Sequence, residues 1–62
     1  MTYDEAKRAF QEGNPVTYGG RVYDRINAII FRRVAGKKRI QLELQDASSR
    51  SVSVVRMEAV QV

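Results

Sequence analysis

Apolar residues recur at two different periods along this chain, and the change from one to the other divides it. Tyr3, Ala6 and Phe10 stand at i, i+3 and i+7, with Lys7 and Arg8 turned away from them, which is the spacing of a narrow helical stripe. Thr2 followed three residues later by Glu5 forms a capping box that satisfies two otherwise orphaned amides. Gly13 can take the left-handed conformation that stops a helix, and Asn14-Pro15 cannot continue one. The pattern predicts a helix within residues 1 to 13. At roughly ten residues it is too short to persist alone in water and must pack on something.

Past Pro15 the period falls to two. Val16-Thr17-Tyr18 and Arg21-Val22-Tyr23 flank Gly19-Gly20, and two glycines between β-branched and aromatic runs mark a hairpin whose turn needs positive φ at both central positions. The run from Tyr23 to Val34 is apolar on both faces: Ile26, Ala28 and Ile30 fall on one side, Ile29 and Phe31 on the other. Either the helix covers the second face through Tyr3, Ala6 and Phe10, or a bulge near Asn27 switches the phase. Ala35-Gly36-Lys37 is the next turn. Ile40, Leu42 and Leu44 then alternate with Arg39, Gln41, Glu43 and Gln45, the signature of a half-buried antiparallel strand. After the turn-rich Asp46-Ala47-Ser48-Ser49, alternation resumes with Val52 and Val54 expected inward. The tail allows one tight helical turn through Met57 to Ala59 and a very short closing strand. No repeat, linker or low-complexity tract interrupts the chain, so residues 1 to 62 are expected to form one domain, a helix (1 to 13) packed on a small antiparallel barrel of four to five strands (15 to 62).

Charge sharpens this picture in one place. The chain carries 11 Lys or Arg against 7 Asp or Glu, a net +4. The first 20 residues and the last 23 each sum to −1, whereas Arg21, Arg25, Arg32, Arg33, Lys37, Lys38 and Arg39 face only Asp24 and give the middle segment +6. A focus of this kind attracts phosphate or acidic protein surfaces. It is also how small β proteins keep strand edges and hairpin tips soluble and unpaired. Tyr18 and Tyr23 flank the first hairpin beside Arg21, and cations that track phosphates combined with rings that stack on bases are the recurring equipment of small nucleic-acid-binding barrels. Those nine residues are the candidate site. Half-buried tyrosines that keep their hydroxyls wet are the competing reading of the two rings.

The chemistry of catalysis finds little to work with. Cys and His are absent, which excludes disulfides, thiolate and imidazole chemistry and the usual zinc sites. Ser48, Ser49, Ser51 and Ser53 have no His partner, and Asp24, Glu43, Asp46 and Glu58 are dispersed along strand faces. Gly19-Gly20 is not a phosphate loop, because no Lys-Ser or Lys-Thr follows and no helix begins there. The expectation is a protein that is not an enzyme, with no catalytic residue, metal, cofactor or small-molecule substrate. The longest apolar run, Ala28 to Phe31, is far short of a membrane span. The acidic start, Met1-Thr2-Tyr3-Asp4-Glu5, lacks the basic region and apolar core of a secretory signal, so a cytoplasmic location without a membrane partner is expected.

One helix followed by about five short strands, with a long bent second strand and a helical turn before the last, resembles the SH3-like small barrels over residues 15 to 62. The chain has no Ala-Leu-Tyr-Asp-Tyr run, no acidic loop and no Trp, so the resemblance does not extend to the aromatic groove that binds polyproline. The linear pattern Met1-Thr2-Tyr3-Asp4-Glu5-Ala6, Gly13-Asn14-Pro15-Val16-Thr17-Tyr18, Tyr23-Asp24-Arg25-Ile26-Asn27-Ala28-Ile29-Ile30 and Ile40-Gln41-Leu42-Glu43-Leu44 resembles very short bacterial proteins carried on conjugative or phage-like elements of Gram-positive genomes. That resemblance implies an accessory protein of a mobile element and brings no active site with it. Two functions follow as expectations: nucleic-acid binding through the basic segment, or a protein-interaction adaptor or homodimer that uses a barrel edge or the Ile29/Phe31 face.

Overall fold

Thr2 and Glu5 set the point where the chain turns helical. The Glu5 amide donates to Thr2 Oγ1 at 3.2 Å, and the Thr2 amide donates to Glu5 Oε1 at 2.7 Å. Helix α1 (Tyr3–Glu12) ends at Gly13, left-handed at φ 69°, whose amide bonds back to the Ala9 carbonyl. The computed structural model describes residues 1 to 62. Five strands follow the helix: β1 (Val16–Tyr18), β2 (Arg21–Val34), β3 (Lys37–Asp46), β4 (Val52–Arg56) and, after a 3₁₀ turn at Met57–Ala59, β5 (Val60–Gln61). They form one antiparallel sheet in the order β4-β3-β2-β1-β5, so the chain meanders outward to β4 and returns at its end to pair with β1. No ladder joins β4 to β5. The sheet is therefore not closed, in contrast to the expected barrel, and both outer strands keep an unpaired edge.

The two-sided apolar character of β2 is resolved by bulges. Between the pairs Tyr23↔Asp46 and Arg25↔Gln45 the residue Asp24 has no partner, and between Ile26↔Leu44 and Ala28↔Glu43 the residue Asn27 has none. The extra residue at Asn27 shifts the alternation by one, so Ile26 and Ile29 fall on the same face instead of opposite ones. Asn27 Nδ2 donates to Gln45 Oε1 at 2.9 Å, and Gln45 Nε2 reaches the carbonyls of Ser49 and Ser51, which anchors the bulge to the loop before β4. Beyond Ala28 the register runs unbroken to Val34↔Lys37.

The core is small. Ala6, Ala9, Val16, Tyr23, Ile26, Leu42, Leu44 and Val60 are buried, with Met1, Tyr18, Ile29, Val55 and Met57 packed around them. The helix approaches the sheet through two alanines, whose short side chains allow close contact, and its larger rings are pushed to the margins: Tyr3 is 39% and Phe10 43% exposed. The expected stripe of Tyr3, Ala6 and Phe10 is thus rotated toward Ala6 and Ala9. In β4 the expected phase is reversed. Val55 stands opposite Leu42 and Ser53 opposite Leu44, so Val52 and Val54 face outward and are nearly half exposed. The doublet Val54-Val55 supports either phase, and cross-strand pairing with the fully buried Leu42 decides it.

Both two-residue turns use positive φ throughout, Gly19 and Gly20 at 58° and 76°, Ala35 and Gly36 at 51° and 76°. Ala35 is the only non-glycine there, and the left-handed conformation costs an ordinary L-residue about 1 kcal/mol. Asn tolerates that conformation and is the preferred partner of Gly in this turn. Ala35→Asn is accordingly expected to raise unfolding free energy by about 0.5–1 kcal/mol, a few degrees in Tm. Urea and thermal unfolding check this; an unchanged or lowered midpoint contradicts the turn geometry.

Candidate nucleic-acid interface

The seven candidate cations separate into two groups once the ion pairs are drawn. Arg21 Nη2 donates to Asp46 Oδ2 at 2.6 Å, and its guanidinium lies 5.7 Å from the centre of the Tyr23 ring. Arg25 Nη1 donates to Asp24 Oδ2, also at 2.6 Å. The third ion pair of the molecule, Arg8 with Glu12, is on the helix. Arg32, Arg33, Lys37, Lys38 and Arg39 take part in none.

These five all lie on the distal half of the β2–β3 hairpin. Every residue from Phe31 to Lys38 is exposed, and the molecule measures 36 × 22 × 18 Å, elongated by this arm. The register places Arg32 opposite Arg39 and Arg33 opposite Lys38, two consecutive rows of like charge. Directly opposed like charges destabilise a sheet by about 0.2–1 kcal/mol per pair, so folding alone does not favour the arrangement. Alternation puts Arg33 and Lys38 on the face shared with Phe31 and Ile40, and Arg32, Lys37 and Arg39 on the other.

The two tyrosines sit elsewhere. Tyr23 is 7% exposed and belongs to the core, so its ring offers no free face for stacking. Tyr18 is half-buried against the same core, opposite Arg21 on one side and Val60 on the other. The aromatic residue that accompanies the five cations is Phe31, 65% exposed and in edge contact with Tyr3, ring centroids 5.8 Å apart at 63°. Phe31, Arg32, Arg33, Lys38, Arg39 and Ile40 line an open cleft of about 430 Å³. Phe31 and Ile40 are not among the nine candidates; the signal that marks them is their position one row inside the cationic pairs.

No group of three or more acidic, His or Cys side chains is arranged to hold a metal ion. The serine-rich turn is occupied structurally: the Ser48 amide and hydroxyl both donate to Asp46 Oδ1, at 2.8 and 2.9 Å. Those two bonds, aided by Arg21, hold the Asp46 carboxyl below its ordinary pKa. No family model, curated protein or solved structure matches the chain.

Asp46 links this geometry to pH. Its folded-state pKa lies below that of the unfolded chain, so the ionised carboxylate contributes stability above the ordinary Asp range and loses it as pH falls toward the folded value. Asp46→Asn keeps an acceptor oxygen and removes the charge. The variant is expected to be less stable at neutral pH and to begin converging with the parent only as pH falls below about 4, toward the lowered folded-state value. Parallel urea-unfolding curves across that range contradict the assignment.

Proposed function

We propose that this chain is a non-enzymatic binding protein whose β2–β3 hairpin holds nucleic acid through its phosphates. The observation that carries the reading is the pair of like-charge rows, Arg32 with Arg39 and Arg33 with Lys38, without a carboxylate partner on the arm. A phosphate backbone is the counter-ion that relieves that repulsion, and its recruitment releases condensed cations from the nucleic acid. Nothing on the arm presents a recognition helix, so the contacts position the strand without reading its sequence. The order β4-β3-β2-β1-β5, the bulged β2 and the 3₁₀ turn before β5 support reading the sheet as an opened SH3-like small barrel. The resemblance to proteins of conjugative and phage-like elements supports a cytoplasmic accessory role in nucleic-acid handling, with no cofactor or small-molecule substrate.

A second reading rests on the outer strand. β4 has a free edge and exposes Val52 and Val54, which supports an adaptor or homodimer formed by edge pairing. Light scattering at several concentrations distinguishes it: mass that rises with concentration favours the edge, and a constant monomer mass disfavours a homodimer.

For the first reading, fluorescence anisotropy with a labelled oligonucleotide should show the logarithm of affinity falling linearly with the logarithm of salt between about 50 and 200 mM. Lys37→Ala and Lys38→Ala should each weaken binding uniformly across sequences and reduce the salt slope by about 1. Arg21→Ala and Arg25→Ala, which remove cations already paired to Asp46 and Asp24, should leave the slope unchanged. Absence of binding at low salt, or equal losses from all four variants, contradicts the proposal.

A further inference from the structure

The five cations alone do not distinguish a duplex from a single strand, because both present phosphates; the cleft between them does. Phe31 is a large apolar side chain with 65% of its surface in water, at the position of β2 where the unpaired cations begin. The Tyr3 ring meets it edge-to-face and restrains it from one side, so its exposed surface is held in place. Ile40 faces it across the ladder, and Arg33 and Lys38 stand on the same face one row further out, about 7 Å along the strand. The concavity so formed is lined by Phe31 and Ile40, by Arg33 and Lys38 on the same face, and by Arg32 and Arg39 from the row between them. Its volume, about 430 Å³, lies in the general size range of small-molecule clefts.

We infer that this cleft receives an unpaired nucleobase stacked on Phe31 while the adjoining phosphates are held by Arg33 and Lys38, so that the hairpin selects single-stranded nucleic acid over duplex. The inference rests on the nucleic-acid reading of the same arm. Charge complementarity favours this occupant over an apolar peptide, since every polar side chain at the rim is a cation. In a duplex the bases are stacked on one another and Phe31 gains nothing; in a single strand each base has a free π-face, and stacking on an aromatic side chain is tolerant of base identity.

The experiment compares three labelled probes of equal length at one low salt concentration: an oligothymidylate, a duplex, and an abasic single strand that keeps the phosphates. The parent chain should bind the oligothymidylate roughly ten-fold more tightly than the abasic strand. Phe31→Ala should remove that advantage and leave duplex binding unchanged, whereas Phe31→Tyr should retain it. Because Phe31 is mostly exposed, circular dichroism of Phe31→Ala should match the parent. Equal parent affinity for the oligothymidylate and abasic strands, or an equal loss for duplex and single strand in Phe31→Ala, overturns the stacking site while leaving phosphate binding intact. Failure of all three probes to bind overturns the parent reading and the stacking site together.

Discussion

One extra residue in β2 governs the molecule. Side chains on a strand alternate between faces, and Ile26 and Ile29 are three positions apart, so an unbroken ladder sends them to opposite sides. The unpaired Asn27 restores them to one face, where Leu42, Leu44 and the two alanines of α1 meet them. A chain of this size cannot sustain two apolar faces, because it buries too small a fraction of its surface. The bulge concentrates what core there is on one side, and its geometry is secured by Asn27 and Gln45 rather than by packing alone.

The free arm is the other consequence of the same arrangement. α1 docks through Ala6 and Ala9, and its N-terminal ring, Tyr3, reaches only the edge of Phe31. Beyond Phe31 every residue of the arm through Lys38 is exposed, and there the unpaired cations gather. Root and arm thus differ in kind. Arg21 and Arg25 sit at the root, each held by a carboxylate, where they serve solubility and local order. Four of the five beyond it face like charges across the ladder, Arg32 with Arg39 and Arg33 with Lys38, an arrangement that fits the proposed phosphate partner.

Much of this was legible in the residues, and the failures have physical causes. The capping box, the Gly13 stop, the Gly19-Gly20 hairpin, the alternation of Ile40, Leu42 and Leu44, and the turn at Met57 to Ala59 are all local signals, and local signals survive folding. Closure of the sheet is not local: it depends on whether the ends of β4 and β5 meet, which no motif encodes. The phase of β4 was ambiguous because Val54 and Val55 are adjacent and equivalent until Leu42 selects one. Sorting the cations required knowing that Arg21 and Asp46, 25 residues apart in sequence, meet across the fold. Tyr18 and Tyr23 are close to Arg21 in sequence, whereas the ring that accompanies the unpaired cations is Phe31, whose exposure depends on where the helix stops covering the sheet.

The β2–β3 hairpin divides into a packed root and an unpaired basic arm, and the proposed binding depends on that division. Its most direct test is an amide chemical-shift titration of the isotopically labelled chain with a short oligothymidylate at low salt. Shifts are expected to be confined to Phe31 through Ile40, with Val16, Tyr23 and Leu44 unmoved. Shifts centred on Arg21 and Tyr23, or along the β4 edge from Val52 to Arg56, would contradict it.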